Sequence, residues 1–144
     1  TLYEWLQQLY VKYGFFREGL VNVVRKGKDG AAEIQQMMVD YRQNPPKSIL
    51  GSPVVKILDY KTLEELDVAT GAKKPIEGID DKSNVLQWIT EDGTKVSVRP
   101  SGTEPKIKFY FGVKAKLESV DKFDETLAAL DQKIEDIKVE LKLV

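Results

Sequence analysis

The 144-residue chain contains 42% hydrophobic and 31% charged residues, a balance that is typical of one globular domain and excludes a disordered segment. Its 22 basic and 23 acidic side chains give a formal net charge of −1, which argues against broad non-specific binding to nucleic acids or anionic membranes. The absence of cysteine and histidine excludes disulfides, metal sites built on these residues and a histidine general base.

The termini and hydropathy of the chain give two further expectations. No run of residues approaches the roughly 18 apolar positions of a membrane helix, and the N-terminus lacks the basic and then apolar pattern of a signal peptide. We therefore expect a cytoplasmic protein with no membrane partner. The chain starts at Thr1 without methionine, which leads us to expect a piece of a larger protein.

Apolar spacing predicts two helices and one strand in the first third of the chain. Leucines and aromatic residues recur at helical spacing over residues 2–13, and Gly14 follows as a stop signal. The β-branched run 20–24 predicts a strand. A second helix is expected after Asp29, a potential N-cap, and it should end at the Asn-Pro-Pro sequence of residues 44–46.

The middle of the chain is richer in strand signals. Residues 53–60 predict a strand, followed by a short helical turn near 63–66 and a polar loop through 71–78. Two further β-rich runs flank the sequence Glu-Asp-Gly of residues 91–93, and Asp-Gly in this position is a strong hairpin signal. Residues 107–113 predict one more strand.

The C-terminal part of the chain has apolar residues at alternating spacings of three and four from Val120 to Leu141, which predicts a long amphipathic helix. A coiled-coil seam and a helix covering a sheet share this spacing, so both remain open. Together the elements predict an α+β fold in which helices pack on one face of an antiparallel sheet. The other face is then available for function.

The connection between the last two predicted strands concentrates positive charge. The side-chain period of two places Arg99 on the side of its strand that faces away from the core. Lys106 and Lys108 alternate in the same way with the apolar row of the next strand. If the two strands pair, these three cations share the face away from the core.

The residues between these cations are suited to binding an anion. Ser101 and Thr103 provide hydroxyls, and Gly102 provides a backbone amide that no side chain shields. An arginine fork with such donors suits the oxygens of a phosphate dianion. The same residues are also ordinary chemistry for a tight hairpin connection, and Glu104 adds a negative charge to the loop. Spacing alone leaves both interpretations open.

A resemblance favours the phosphate interpretation. The run Arg99-Pro100-Ser101-Gly102-Thr103-Glu104-Pro105-Lys106-Ile107-Lys108-Phe109-Tyr110 resembles the phosphate-binding loop in the last domain of the α-D-phosphohexomutases. Three more stretches are similar to the bacterial phosphoglucomutase and phosphomannomutase branch of this family: Tyr13-Gly14, Lys28-Asp29-Gly30 and Asn44-Pro45-Pro46. The resemblance thus spans most of the chain.

The resemblance implies a domain layout and a set of site residues. Residues 1–16 are expected to be the closing helix of a preceding domain, and residues 17–144 the C-terminal domain. The resemblance assigns the phosphate of the bound sugar to Arg99, Ser101, Gly102 and Thr103, with Lys108 at the position of a further basic contact. Lys106 has no such clear counterpart.

The family's reaction implies partners and cofactors that lie outside this chain. Family members are isomerases of carbohydrate metabolism that move a phosphoryl group between C1 and C6 of a hexose phosphate. They use an enzyme phosphoserine, Mg²⁺ and an intermediate of the glucose 1,6-bisphosphate type. The family's serine, magnesium and sugar loops are absent from this sequence. We therefore expect no catalytic residue and no metal ligand here, no turnover by the chain alone, and the remaining domains of the same enzyme as partners.

Three other interpretations are weaker. Asp59, Glu77, Asp80 and Asp81 resemble a hard-cation site only loosely, because the last of these belong to a polar turn before a strand. A module for single-stranded nucleic acid would stack bases on the aromatic run 109–111, but strand alternation leaves only the middle ring outside the core. A pure protein-interaction domain would use the C-terminal helix.

Overall fold

The computed structural model describes residues 1–78, 81–102, 104–115 and 119–143 of the chain, and within these ranges it leaves the side chains of residues 10–13 and 120 undescribed. The helices are α1 (Leu2–Tyr13), α2 (Gly30–Gln43) and α3 (Phe123–Glu140), the last preceded by a 3-10 turn at Val120–Lys122. The strands are β1 (Phe15–Val24), β2 (Ser48–Ile49), β3 (Ser52–Asp59), β4 (Glu64–Asp67), β5 (Lys73–Pro75), β6 (Leu86–Thr90), β7 (Lys95–Pro100) and β8 (Lys106–Ala115).

The strands form one antiparallel sheet in the order β1-β8-β7-β6-β3-β4-β5, and β2 pairs with β3. The longest pairing joins all ten residues of β1 to the ten residues of β8. On its other side, β8 pairs with β7, so that the two strands flanking the loop of interest are neighbours in the sheet. The pairing that the sequence left conditional is therefore present.

The hydrophobic core lies on one face of this sheet, between the strands and helices α2 and α3. The apolar rows of β7 and β8 are almost completely inaccessible, as are Ile34 and Met38 of α2 and Ile137 of α3. Tyr41 of α2 packs edge-on against the rings of Trp88 and Phe109. This confirms the predicted α+β fold with helices on one face of an antiparallel sheet.

Helix boundaries follow the local sequence signals. Gly14 ends α1 with a φ of +96°, a conformation that glycine adopts without steric cost. Asn44 ends α2, where its N–H donates to the carbonyl of Asp40 at 2.7 Å and two prolines follow. Asp29 stands at the N-cap of α2 as predicted, but its side chain makes no capping hydrogen bond.

The C-terminal helix covers the sheet rather than forming a coiled-coil seam. Its buried residues Leu130, Ile134 and Ile137 belong to the same core cluster as the strands. An alternating stripe of this kind is expected for any helix that buries one face. Among the described residues, no helix is long and apolar enough to cross a membrane.

One predicted element is wrong. Residues 63–66 were expected to form a helical turn, but Glu64–Asp67 is strand β4, which pairs with β3 on one side and β5 on the other. The Leu-Glu-Glu-Leu sequence has good helix propensity, but hydrogen bonds to two neighbouring strands outweigh it. The predicted loop 71–78 likewise contains β5, and the strand predicted at 20–24 begins five residues earlier, at Phe15.

Candidate functional site

The loop that joins β7 to β8 closes tightly at one end of the sheet. Beyond the pair formed by Pro100 and Ile107, the N–H of Ser101 donates to the carbonyl of Lys106 at 2.9 Å. The N–H of Lys106 in turn donates to the carbonyl of Glu104 at 2.8 Å. These bonds extend the ladder by one step and leave a short loop tip at residues 101–105.

Arg99 and Lys108 lie directly opposite each other on the open face, just before this loop tip. They are partners in the antiparallel register, a position in which Cα atoms are about 4.5 to 5.5 Å apart. Arg99 is exposed and Lys108 is half-buried. Within the described parts of the chain neither forms an ion pair, and like charges in directly opposed positions repel each other. An anion bound between them would relieve this repulsion.

The third predicted cation is engaged differently. The Nζ of Lys106 lies 3.2 Å from a carboxylate oxygen of Glu104. In the sheet, Lys106 is the register partner of Val24 in β1. Lys106 therefore balances a charge inside the loop, and the negative charge that Glu104 brings to the site is compensated by its neighbour.

The loop tip exposes backbone around Gly102. Gly102 is exposed and does not have a positive φ, so its backbone conformation does not demand glycine. Apart from its chain neighbours, no described residue has a heavy atom within 4 Å of a Cβ built at this position, so packing does not demand glycine either. The missing side chain leaves the backbone of Gly102 unshielded. The predicted site residue Thr103 lies outside the described residues.

Ser101 is held inside the loop by its hydroxyl. Its Oγ accepts a hydrogen bond from the N–H of Glu104 at 3.2 Å. This bond fixes the turn that presents Gly102 and is the local reason why a serine at this position stabilises the loop. The side chain is half-buried, so part of it remains accessible beside the tip.

A cleft of about 220 Å³ separates the loop tip from the beginning of α2. Its lining includes Lys28, Ala31 and Gln35 on the helix side and Ser101, Gly102 and Glu104 on the loop side. Sequence reasoning did not select Lys28 as a site residue. The only signal was its place in the Lys-Asp-Gly stretch that contributed to the resemblance.

Two contacts anchor the loop to this helix. The N–H of Arg25 donates to the carbonyl of Pro105 at 2.9 Å. Gly30 is buried where α2 begins, and a Cβ there would lie 2.1 Å from the carbonyl oxygen of Arg25 and 3.1 Å from the Cβ of Pro105. Only glycine allows this approach, so Gly30 brings the helix and the loop together.

The aromatic strand does not form a stacking surface for nucleic acid bases. Phe109 and Phe111 are 0% and 1% exposed and face the core, whereas Tyr110 is 40% exposed on the open face. A groove of about 470 Å³ beside Tyr110 runs over Gly112 between Glu18 and Lys95. The aromatic run 109–111 thus presents a single accessible ring, next to a carboxylate, which is not the arrangement that binds single strands.

A strong electrostatic perturbation lies at the far end of β7, in the β6–β7 turn. Partial burial raises the pKa of Asp92, but hydrogen bonds from Lys133, Thr90 and Thr94 outweigh burial and hold the pKa well below its usual range. The Nζ of Lys133, in α3, lies 2.8 Å from this carboxylate. This network joins α3 to the turn and gives the carboxylate of Asp92 a partner within the molecule.

No metal site is formed by the residues that the structure describes, because no three acidic side chains come close enough together to hold an ion. Of the acidic residues considered as a cation site from the sequence, Asp80 lies outside this description. Asp59 instead accepts two hydrogen bonds from the guanidinium of Arg42, at 3.1 and 3.3 Å.

Comparison with known proteins matches the site-bearing part of the chain to one family. Residues 20–130 match the family model described as "Phosphoglucomutase/phosphomannomutase, C-terminal domain". Over 129 residues the chain is 33% identical to the phosphoglucomutase of Staphylococcus saprophyticus, covering 90% of this chain and 22% of that protein. It is 36% identical over 114 residues to the phosphoglucomutase of Staphylococcus aureus strain MRSA252, covering 79% and 20% respectively.

A solved structure also aligns with most of the chain. It is the open form of pp63/parafusin, an exocytosis-sensitive phosphoprotein and phosphoglucomutase from Paramecium, with 11% identity and a TM-score of 0.45. The alignment covers 96% of this chain and 23% of that chain. The chain spans about a fifth of the length of the curated relatives it matches.

Proposed function

Because the chain belongs to the phosphoglucomutase/phosphomannomutase family, as its C-terminal domain, we propose that it binds the phosphate group of a hexose phosphate. The phosphate would lie at the tip of the β7–β8 loop and be held by Arg99, Ser101, Gly102, Thr103 and Lys108. The complete enzyme would be an isomerase of carbohydrate metabolism that moves a phosphoryl group between C1 and C6 of the sugar.

The observation that carries this proposal is the register pair of Arg99 and Lys108. Two adjacent cations, unpaired within the described residues, stand next to the exposed Gly102 at the end of a hairpin. An arginine fork contacts two phosphate oxygens at once, and a lysine adds a point charge without directional demands. Such a site recognises charge and tetrahedral geometry, so it accepts a phosphate on either sugar carbon.

The exposed side of α1 supports the proposed domain layout. Leu2, Tyr3, Trp5 and Leu6 are all exposed, and exposed apolar patches of this kind mark surfaces that contact other protein. We propose that residues 1–16 end a preceding domain of the same enzyme and that residues 17–144 form the phosphate-binding domain. This boundary falls within β1, because Phe15 and Phe16 already pair with β8. The remaining domains would then be its partners, together with the substrate, in the cytoplasm.

Catalysis in this proposal depends on residues outside the chain. The described residues offer no group of carboxylates that fits Mg²⁺, and the sequence has no counterpart of the family's phosphoserine loop. The domain would hold one phosphate of the substrate or of a glucose 1,6-bisphosphate-type intermediate while the other end of the sugar faces the catalytic serine. The isolated chain should therefore show no mutase turnover in a coupled assay. Robust turnover by the purified chain would contradict the proposal that the catalytic residues lie outside it.

The direct test is an NMR titration of the chain with inorganic phosphate and with glucose 6-phosphate. We expect weak binding that shifts the amides of residues 101–103 and the side-chain Nε signal of Arg99. A single-stranded oligonucleotide serves as the control ligand. Shifts confined to the β8 amides around Tyr110 on adding oligonucleotide, with none on adding phosphate, would contradict the proposal.

A further inference from the structure

The phosphate-binding loop has a second flank that the family resemblance does not assign. Arg99 and Lys108 approach the loop tip from the open face of the sheet. The cleft of about 220 Å³ lies on the other flank, between the tip and the segment that leads into α2. Lys28 is the basic residue in the lining of this cleft, and Ser101 and Gly102 line its opposite side.

We propose that Lys28 is a further phosphate-binding residue of this site, an inference that rests on the function proposed above. A phosphate at the loop tip would lie between Lys28 on one flank and the Arg99–Lys108 pair on the other. Lys28 is exposed and, within the described ranges, forms no ion pair, so its charge is available to a ligand. Its ammonium group acts as a point charge that needs no fixed orientation.

The size of the cleft suits a phosphate group rather than a whole sugar phosphate. Pockets that enclose drug-sized ligands measure about 300 to 1,000 Å³, and this cleft is smaller. The sugar would then remain outside, where the other domains of the enzyme can contact it. This agrees with a site that binds either phosphate of the substrate without reading the sugar.

The charge balance of the cleft favours an anion. Glu104 is the acidic residue in its lining, and the ammonium group of Lys106 lies 3.2 Å from that carboxylate. The ammonium group of Lys106 offsets part of the negative charge of Glu104. Lys28 and Lys106 together outnumber Glu104, so the charge around the cleft is positive.

The segment carrying Lys28 is held against the loop by the backbone. Arg25, three residues before Lys28, donates its N–H to Pro105, and Gly30, two residues after it, packs against the same proline. Lys28 is thus positioned beside the loop before any ligand arrives. Such preorganisation reduces the entropy lost on binding.

The test compares Lys28→Gln with Lys26→Gln in the 144-residue chain. Both lysines are exposed and both substitutions remove one positive charge, but Lys26 does not appear in the lining of the cleft. Each protein is titrated with inorganic phosphate at fixed pH and low ionic strength, and the amides of Ser101, Gly102 and residue 28 are followed. Thermal unfolding of each variant is recorded in parallel.

We expect Lys28→Gln to raise the Kd for phosphate about three- to tenfold without changing the thermal midpoint, because one charged contact is lost at an exposed position. Lys26→Gln should stay within about twofold of the unmodified chain, and so should Lys28→Arg, which keeps the charge. In the unmodified chain the amide of Lys28 should shift together with those of the loop.

The outcomes separate this inference from the proposed function. If phosphate shifts no loop amide of the unmodified chain, both are overturned. If the loop amides shift but Lys28→Gln binds phosphate as tightly as the unmodified chain, only the role of Lys28 is overturned. Equal weakening by Lys28→Gln and Lys26→Gln would show an effect of net charge alone and would overturn it as well.

Discussion

Strand β7 connects two turns that differ in whether their charged side chains form ion pairs within the molecule. At its start, the carboxylate of Asp92 contacts the hydroxyl of Thr90, accepts the N–H of Thr94 at 3.1 Å and pairs with Lys133 of α3 at 2.8 Å. At its end, Arg99 and Lys108 have no ionic partner in the described chain, and the loop tip is exposed around Gly102.

The difference between these turns lies in what the rest of the fold brings to them. Lys133 of helix α3 pairs with Asp92 of the β6–β7 turn. The negative charge of this turn is therefore balanced inside the molecule, and the ion pair stabilises the fold. In the second turn Glu104 pairs with Lys106 of the adjoining strand β8, whereas Arg99 and Lys108 have no ionic partner among the described residues. A hairpin turn whose charges form ion pairs within the molecule stabilises the fold. A turn that leaves two neighbouring cations without an ionic partner is suited to binding an anionic ligand.

The largest expected effect is the loss of catalytic efficiency on substitution in the β7–β8 loop. In a complete enzyme containing this domain, Arg99→Ala should lower kcat/KM by about 10- to 100-fold, because at least one charged hydrogen bond to the substrate phosphate is lost. Lys95→Ala is the matched control, since Lys95 is exposed on the same strand and the same face at the other end. Steady-state kinetics of both variants measure kcat/KM. A near-normal kcat/KM of Arg99→Ala would show that the β7–β8 loop does not bind the substrate phosphate.

Two glycines, one in the β7–β8 loop and one packed against it, allow stability and binding to be tested separately. Gly30→Ala should destabilise the chain by about 1 to 3 kcal/mol in urea unfolding, because its Cβ would clash with the backbone of Arg25. Alanine favours helices more than glycine does, so propensity cannot cause this loss.

Gly102→Ala is the counterpart, and it should change stability by less than about 0.5 kcal/mol, since no described residue beyond the chain neighbours lies within 4 Å of the added methyl group. It should nevertheless weaken phosphate binding in the NMR titration, because the methyl group would cover the loop tip. A Gly102→Ala variant that binds phosphate normally would show that the ligand does not approach this amide.

Substitution of Asp92 in the β6–β7 turn should cause a modest loss of stability and should leave phosphate binding unchanged. Asp92→Asn removes the ion pair with Lys133 and should cost about 1 kcal/mol, since the carboxylate is partly exposed to solvent. Urea unfolding measures this difference, and phosphate titration should give the same Kd as for the unmodified chain. A change in Kd would mean that the two ends of β7 are coupled.

The smallest effect concerns pH. Because hydrogen bonds lower the pKa of Asp92 in the folded chain, its contribution to stability is present above the unfolded value of about 3.9 and is lost as the pH falls below it. The difference in unfolding free energy between the chain and Asp92→Asn should thus be largest near neutral pH and shrink below about pH 4. A difference that grows in acid would contradict the assigned hydrogen bonds.

Much of the architecture is predictable because its signals are local. Strand alternation alone placed Arg99 away from the core, and the Asp-Gly sequence at 92–93 marked the hairpin that the structure contains. The prediction failed at residues 63–66, where local helix propensity competes with antiparallel pairing to the adjacent strands β3 and β5. Hydrogen bonds on both sides of β4 outweigh that propensity.

The sequence by itself determined that this chain is an α+β domain, which residues face its core, and which short run resembles a phosphate-binding loop. Periodicity and turn chemistry act over a few residues, so one chain suffices to read them. Only the tertiary structure decided that Lys108 opposes Arg99, that Lys133 pairs with Asp92 and that Lys28 faces Ser101 across a cleft. The first of these follows from the register of β7 and β8. The other two bring together residues far apart in sequence, and they depend on how the helices pack against the sheet.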